Sequence, residues 1–316
     1  MLRRYALLHI ILVAWLAGSG VLLCCGQVEA FTTARIPLED PSAPIIRKQV
    51  QEVKLILAIT DRHRHLVKNL SADDIAILDN GLPPEQITYF EPQTQLPLRV
   101  ALVIDRSDSV SSNFAFEKSA AKQFLSHGLR NDSDLAIIVE FNDIARVAQG
   151  PTSNRRLLSH VISKLPSGGN TSIYDAIVLA TQQLGMIRDT QPSRRAIILI
   201  TDGSDTSSHT TLAAAVEVAQ QNETIVYVLR TEQYWEHKNS EQAMQQLSEL
   251  TGGDSFMADT DYQIERAFSK IQTELRSQYA IAYRPTNIAP DGSFHQISVL
   301  VPRELIARYR HGYFAR

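Results

Sequence analysis

Cysteine is scarce in this 316-residue chain, and both of its cysteines, Cys24 and Cys25, lie near the amino terminus. If the amino-terminal segment is removed after Ala30, the mature chain contains no cysteine. Disulfide bonds, thiol catalysis and cysteine-based zinc sites are then excluded from the folded part. That part must be stabilised by its apolar core, by a bound metal ion, or by both.

Positive charge is not in excess either, because the chain has 31 Lys and Arg residues and 34 Asp and Glu residues, which give a formal net charge of −3. Nucleic-acid binding therefore has no electrostatic support. The 14 glycines and 13 prolines form no low-complexity tract. The length favours two domains and is sufficient to bury a sizeable core.

The first thirty residues have the features of an export signal. Met1–Arg4 is a short positive segment, residues 5–26 carry no charge and are mostly apolar, and Val28 and Ala30 suit the −3 and −1 positions of a cleavage site. This pattern predicts a secretory signal peptide over residues 1–30. The alternatives are an uncleaved membrane anchor and lipidation at one of the two cysteines. In each case we predict that the rest of the chain is exported, to the periplasm or outside the cell, and that only this segment associates with a membrane.

The remaining chain contains segments of different character. Residues 31–48 are a predicted linker that contains three prolines. Residues 49–95 and 278–316 contain short strands and tight turns, whereas residues 96–277 alternate apolar strands with amphipathic helices. The alternation predicts an α/β domain with a doubly wound, mostly parallel sheet. We infer that the two flanking segments form one small, discontinuous β-sandwich-like domain, into which the α/β domain is inserted.

Several local patterns give more detailed expectations. Val100–Ile104 and Ala196–Ile200 are continuous apolar runs, as expected for strands buried on both faces of a parallel sheet. Residues that follow such strands gather at the carboxyl edge of the sheet, where ligands bind. Arg308–Phe314 is predicted to be a single strand. Asp205 is expected to cap the helix that follows it.

Oxygen-bearing side chains occur in three such places. Asp105, Ser107 and Ser109 directly follow the first apolar run, and Asp202 follows the second. Thr171 lies between a glycine-rich turn and a helix. Each element alone also fits an ordinary turn or helix cap. All three in this order favour a shared site for a hard cation such as Mg²⁺, which prefers oxygen ligands.

With these motifs, residues 98–278 resemble a von Willebrand factor type A domain. The metal-ion-dependent adhesion site of that family has the form Asp-x-Ser-x-Ser, with a Thr after a Gly-rich turn and an Asp after a later apolar strand. The resemblance implies a Rossmann-like fold that binds Mg²⁺ and whose open coordination position takes an acidic residue from a partner protein. It also implies three hydroxyl ligands and two carboxylates that act largely through water, namely Ser107, Ser109 and Thr171, and Asp105 and Asp202.

Two residues depart from the family pattern. Family members commonly have Gly where Asp108 stands, and a small or apolar residue where Arg106 stands. Asp108 adds negative charge near the site, which would either disfavour an acidic partner or, by offering a further carboxylate, favour Ca²⁺ or Mn²⁺ over Mg²⁺. The positive charge of Arg106 would offset it. We expect instead that both side chains point into solvent.

The sequence therefore predicts an exported, metal-dependent protein-binding module for adhesion or assembly, and not an enzyme. Its partner would be an unidentified protein with an exposed acidic residue. The flanks also resemble those of exported bacterial proteins of uncharacterised function. One alternative is a metal-dependent hydrolase, although no general base or nucleophile is evident beside the ligands. Another is a structural envelope protein with a vestigial site.

Overall fold

The computed structural model describes residues 52–93, 95–108, 114–130, 132–201, 204–231, 238–287, 289 and 291–315. The predicted signal peptide and linker, and the predicted site residues Ser109 and Asp202, lie outside the described residues. Among the described residues, no helix combines the length and the apolar character that crossing a membrane requires.

The described strands and helices alternate through the middle of the chain. In chain order the strands are β1 (Val53–Asp61), β2 (Ala76–Asp79), β3 (Gln86–Gln93), β4 (Leu98–Asp105), β5 (Leu135–Phe141), β6 (Ala145–Thr152), β7 (Arg194–Thr201), β8 (Thr224–Arg230), β9 (Ser255–Met257), β10 (Gln278–Arg284), β11 (Phe294–Leu300), β12 (Leu305–Arg308) and β13 (Gly312–Phe314). The helices are α1 (Phe114–Gly128), α2 (Arg155–Lys164), α3 (Ile173–Met186), α4 (Leu212–Gln221), α5 (Lys238–Thr251) and α6 (Asp261–Leu275).

The central sheet has the strand order β6-β5-β4-β7-β8-β9. Strands β5, β4, β7, β8 and β9 are parallel, and β6 pairs antiparallel with β5. From β4 the chain goes first to β5 on one side and later to β7 on the other. The carboxyl ends of β4 and β7 are thus the point at which the strand order reverses, and open α/β sheets bind ligands there.

Helices cover both faces of this sheet, which confirms the predicted doubly wound α/β class. Every residue of β4 is buried, and successive side chains enter opposite cores. Leu102 packs in the core that contains Phe124 of α1 and Phe268 of α6. Val103 packs in the core that contains Ile177 of α3 and Leu247 of α5.

The edge strand β6 was not predicted. Its sequence, ARVAQGPT, is half-exposed and includes Gly150 and Pro151, both of which are depleted in strand interiors. Proline is tolerated in a sheet where its missing N–H faces no partner, as on an edge strand. Pairing with β5 therefore creates a strand that the local composition does not favour.

Two antiparallel sheets complete the fold. One has the order β12-β1-β10-β3 and the other the order β13-β11-β2, so strands from before and after the α/β part are hydrogen-bonded neighbours. Their shared core contains Leu57 and Ile281 from the first sheet, and Ile77 and Ile297 from the second. We refer to this pair of sheets as the sandwich.

The prediction of a single strand over Arg308–Phe314 was wrong. The chain leaves the first sheet after β12 and enters the second at β13. Gly312 allows the close approach, because a Cβ atom there would lie 2.5 Å from the carbonyl oxygen of His295. The turn between the strands is dictated by the second sheet, not by the local sequence.

Two residues hold both ends of the α/β part. The Asp134 carboxylate accepts hydrogen bonds from the backbone N–H of Leu98 (2.9 Å) and from the Arg276 guanidinium (2.5 Å). Arg194 donates its backbone N–H to the carbonyl of Pro97 (2.8 Å) and its guanidinium to the carbonyl of Leu275 (2.6 Å). The beginning of β4 and the end of α6 are therefore fixed through shared partners.

Candidate metal centre

The Asp105 carboxylate lies at the carboxyl end of β4 and is fully buried. One oxygen accepts a hydrogen bond from the Thr201 hydroxyl (2.6 Å), and the other accepts one from the Ser107 backbone N–H (2.9 Å). Burial raises the pKa of this carboxyl, and the hydrogen bonds from Thr201 and Ser107 oppose that shift. A cation close to Asp105 would favour its ionised form.

The loops that carry Ser107 and Thr171 lie side by side. Both residues are buried, at 1% and 5% exposure. The backbone N–H of Gly168 donates to the carbonyl of Arg106 (2.6 Å), and that of Asp108 donates to the carbonyl of Gly169 (2.8 Å). The structure therefore joins two of the three predicted oxygen-donor elements through main-chain hydrogen bonds.

Glycine is required at the turn before Thr171. Gly168 and Gly169 have φ angles of +130° and +107°, which side chains rarely allow. A Cβ atom on Gly169 would also lie 2.6 Å from the amide nitrogen of Asn142, whose side chain donates to the carbonyl of Gly168 (2.8 Å). The loop after β5 thereby contacts and supports the loop that carries Thr171.

The loop that follows β7 binds the same segment. The backbone N–H groups of Thr206 and Ser207 both donate to the carbonyl of Thr171, at 2.8 and 3.0 Å. In return the Thr171 N–H donates to the Thr206 hydroxyl (3.1 Å). The segment after β7 thus reaches the same place, although Asp202 itself lies outside the described residues.

The role predicted for Asp205 was wrong. Its carboxylate accepts the backbone N–H groups of Ile173 (2.7 Å) and Tyr174 (3.3 Å), so it caps α3, which precedes it in the chain. Helix α4 is capped by Thr211 instead. A free N–H group at a helix start can donate to any carboxylate nearby, and the fold, not the sequence order, decides which carboxylate is near.

Asp175, in the first turn of α3, binds the loop that follows β7. Its carboxylate accepts the backbone N–H groups of Thr210 (2.9 Å) and His209 (3.0 Å). Burial raises the pKa of this carboxyl, but hydrogen bonds from Thr210 and His209 outweigh burial and lower the pKa to about 2. The loop after β7 and the start of α3 therefore clamp each other.

The expectation that Arg106 points into solvent was wrong, whereas Asp108 is exposed as expected. The Arg106 guanidinium pairs with Glu140 of the neighbouring strand β5 at 3.0 Å, and both side chains are largely buried. Arg106 therefore neutralises Glu140, and among the described residues it forms no ion pair with Asp108. The signal that could have suggested this partner was a lone carboxylate within the apolar run of β5.

A comparison with known families agrees with this architecture. Residues 100–204 match the sequence model of the von Willebrand factor type A domain. This segment is similar to a type A domain, and we refer to the α/β part that contains it as the type A domain. The matched segment runs from β4 to just beyond β7 and so includes all five predicted site residues.

Individual relatives are distant. A UPF0353 protein of Mycobacterium tuberculosis is 26% identical over 203 residues, covering 56% of this chain and 60% of the relative. A UPF0353 protein of Mycobacterium bovis matches to the same extent. This chain thus spans less than two thirds of the length of these curated relatives.

Solved structures resemble the fold. The von Willebrand factor type A protein of Catenulispora acidiphila has a TM-score of 0.50 at 13% identity, covering 85% of this chain and 74% of that one. Proximal thread matrix protein 1 from the mussel byssus, in a structure with a zinc-occupied MIDAS motif, has a TM-score of 0.49 at 15% identity, covering 62% of this chain and 50% of that one.

The described part of the type A domain offers a donor set that suits a hard divalent cation. It combines the buried carboxylate of Asp105 with the buried hydroxyl-bearing residues Ser107 and Thr171. The described residues contain no group of three or more His, Cys, Asp or Glu side chains placed to hold a metal ion. Among the described residues, the oxygen donors at this place are therefore one carboxylate and two hydroxyls.

Two buried residues near this edge of the type A domain were missed by the sequence analysis. Glu117, in the first turn of α1, accepts a hydrogen bond from the Thr231 hydroxyl (2.5 Å). Thr231 in turn donates its backbone N–H to the carbonyl of Thr201 (3.1 Å), and Thr201 holds Asp105. Glu117 lies on the apolar side of α1, and that position was the available signal.

Replacement of Asp205 by alanine is expected to lower the free energy of unfolding of the type A domain by about 1 to 2 kcal/mol. The change removes the acceptor for two N–H groups of α3 and for the Ser208 hydroxyl. Urea unfolding followed by circular dichroism measures the effect. Asp205→Asn, which keeps an acceptor oxygen, is the control and should lose less than Asp205→Ala. Equal stability of all three proteins would contradict this role.

Proposed function

We propose that this protein is an exported module that binds a partner protein through a divalent cation. The supporting observation is the buried Asp105 carboxylate at the reversal point of the sheet, next to the interlocked loops of Ser107 and Thr171. Mg²⁺ is the ion that this donor set suits, with Mn²⁺ or Ca²⁺ as alternatives. Export follows from the amino-terminal segment and belongs to the same proposal.

In this proposal Ser107, Ser109 and Thr171 bind the ion directly, and Asp105 and Asp202 hold it largely through water. Neutral hydroxyls leave most of the charge of the ion uncompensated. An acidic side chain of the partner is then a favourable further ligand. The Thr201 hydroxyl and the Ser107 N–H orient the Asp105 carboxylate, as supporting hydrogen bonds do at metal sites generally.

The exposed acids beside the site make the ion essential to this interaction. Asp108 and Asp143 are both exposed on the loops that surround Ser107 and Thr171. Without a cation they would repel an acidic partner, because like charges at short range disfavour association. We therefore propose that binding is not merely strengthened by the ion but absent without it, and that the protein acts by binding and not by catalysis.

Replacement of Thr171 by alanine is expected to weaken Mg²⁺ or Mn²⁺ binding by the full chain at least tenfold, about 1.4 kcal/mol. The reason is the loss of one of three hydroxyl ligands. Isothermal titration calorimetry measures the affinity, with Thr190→Ala as the matched control. Thr190 is exposed in the loop before β7, so its replacement should leave the affinity unchanged.

The same proteins test the partner. Capture from native envelope extract should require Mg²⁺, should release the partner with EDTA, and should fail with Thr171→Ala. A wild-type chain that binds neither Mg²⁺ nor Mn²⁺ would overturn the proposal and favour a structural protein with a vestigial site. Hydrolysis of phosphoesters or peptides at saturating Mg²⁺, abolished by Thr171→Ala, would favour the hydrolase.

A further inference from the structure

A cleft lies where the sandwich meets the α/β part. Gly253 and Asp254, in its wall, precede the amino end of β9, whereas Asp105 is the residue at the carboxyl end of the parallel strand β4. The cleft is therefore at the opposite edge of the central sheet from the candidate metal centre. It encloses about 620 Å³, a volume typical of small-molecule sites, which often lie at such junctions.

The acids of this cleft already have partners. Arg308 pairs with Asp254 (2.5 Å) and with Glu274, and Arg64 approaches Asp254 at 3.5 Å. The third acid of the lining, Glu249, accepts a hydrogen bond from a glutamine amide. The glutamine amide is neutral, so Glu249 keeps its charge, but this one carboxylate faces two further basic side chains, Lys68 and Lys270.

Two lysines of the cleft, on different segments, have no ion-pair partner among the described residues. Lys68 follows β1 and Lys270 belongs to α6, and neither forms an ion pair with a described carboxylate. Burial lowers the pKa of Lys270, and the guanidinium groups of Arg266 and Arg64 lower it further against the opposing effect of Asp254. Positive charge in this cleft therefore exceeds what its acids balance.

The backbone beside the cleft is held in an unusual conformation. Arg64 has a φ angle of +65°, which is uncommon for a residue with a side chain. The turn is maintained by Asp61, whose carboxylate accepts the backbone N–H groups of His63 and His65, both at 2.8 Å. Such conformations have an energetic cost on the order of 1 to 3 kcal/mol and concentrate at functional sites. Here the result is that the Arg64 side chain lines the cleft.

Apolar groups form part of the wall, among them Leu66, Phe256, Ile306 and Ala307. We propose that the cleft binds a small ligand that has a phosphate or carboxylate head and an apolar body. Lys68, Lys270 and Arg64 contact the head, and the apolar wall contacts the body. Charged heads are recognised by lysine and arginine, whereas apolar contact supplies non-directional affinity. This site is independent of the proposed metal-dependent function.

Calorimetry on the full chain in EDTA and low salt tests the proposal with three probes: octyl phosphate, octanoate and inorganic phosphate. Octyl phosphate or octanoate should bind at least tenfold more tightly than inorganic phosphate, because inorganic phosphate lacks the apolar body. The tighter of the two amphiphiles identifies the preferred head. Lys270→Gln should weaken its binding at least tenfold.

Lys54→Gln is the matched control, since Lys54 is exposed on β1 and does not line the cleft. It should bind the amphiphile like the wild type. Thermal unfolding of both variants without ligand establishes that they fold. Failure of the wild type to bind either amphiphile would overturn the proposal, as would equal affinity of the wild type and Lys270→Gln.

Discussion

Replacement of Asp79 by alanine is expected to lower the free energy of unfolding by about 3 to 5 kcal/mol, because three buried polar groups lose the acceptor that they share. Asp79 ends β2 inside the sandwich and is only 5% exposed. Its carboxylate accepts hydrogen bonds from the hydroxyls of Tyr283 and Tyr313, both at 2.9 Å, and lies 2.7 Å from Nδ1 of His295. Alanine would leave all three groups without this acceptor, in a place that water does not reach.

Two other variants show how much of the lost stability is due to this hydrogen-bond network. Tyr313→Phe removes one of the three hydrogen bonds and should lower stability by only about 1 kcal/mol. Asp73→Ala changes an exposed carboxylate in the same part of the chain and should stay within about 0.5 kcal/mol of the wild type. Urea unfolding gives the three values. An Asp79→Ala protein as stable as Asp73→Ala would show that the buried network contributes nothing.

Replacement of Gly253 by alanine is expected to lower stability by about 3 kcal/mol, the upper part of the range for overpacked interiors. A Cβ atom there would lie 2.0 Å from the carbonyl oxygen of Val226 and 2.7 Å from its carbon. Those atoms belong to the backbone of β8, between β7 and β9 in the sheet, and cannot rotate away as a side chain could. Either β9 must separate from β8, or the turn after α5 must be rebuilt.

Gly150→Ala provides the control for Gly253→Ala. Gly150 lies on the edge strand β6, and a Cβ atom there would meet nothing within 4 Å. Its replacement should be neutral or slightly stabilising, because alanine restricts the unfolded chain. Thermal unfolding of the two variants under the same conditions makes the comparison. Similar melting temperatures would show that the turn before β9 adapts more easily than the contact distances imply.

The sequence predicted best the elements whose environment is uniform. β4 and β7 are buried on both faces, so their apolar runs identify them without knowledge of their neighbours. β6 and the split between β12 and β13 were missed because each depends on the strand beside it. Local composition carries no information about a partner strand that is distant in sequence.

The candidate site also has features that could be predicted from the sequence and features that could not. The order of oxygen-bearing residues predicted that the Ser107 and Thr171 loops share one edge of the sheet, and the structure places those loops in contact. Pairing of Arg106 with Glu140, and capping of α3 by Asp205, depend on which loops the fold brings together. Metal ligation by the five named residues stays a prediction.

Asp134 and Arg194 hydrogen-bond to both ends of the α/β part, namely to Pro97 and Leu98 at its start and to Leu275 and Arg276 at its end. These contacts affect the order in which the chain assembles. The sandwich joins groups such as Asp79 and Tyr283, which are 204 positions apart. In an unfolded chain, closing a loop of that length loses entropy before any contact compensates for it. Once the α/β part has folded, its two ends are already held, and the effective loop is much shorter. Assembly of the sandwich is therefore favoured after the inserted part has formed. Strands β1 to β3 are synthesised early and stay unpaired until their partner strands β10, β11 and β12 have been made.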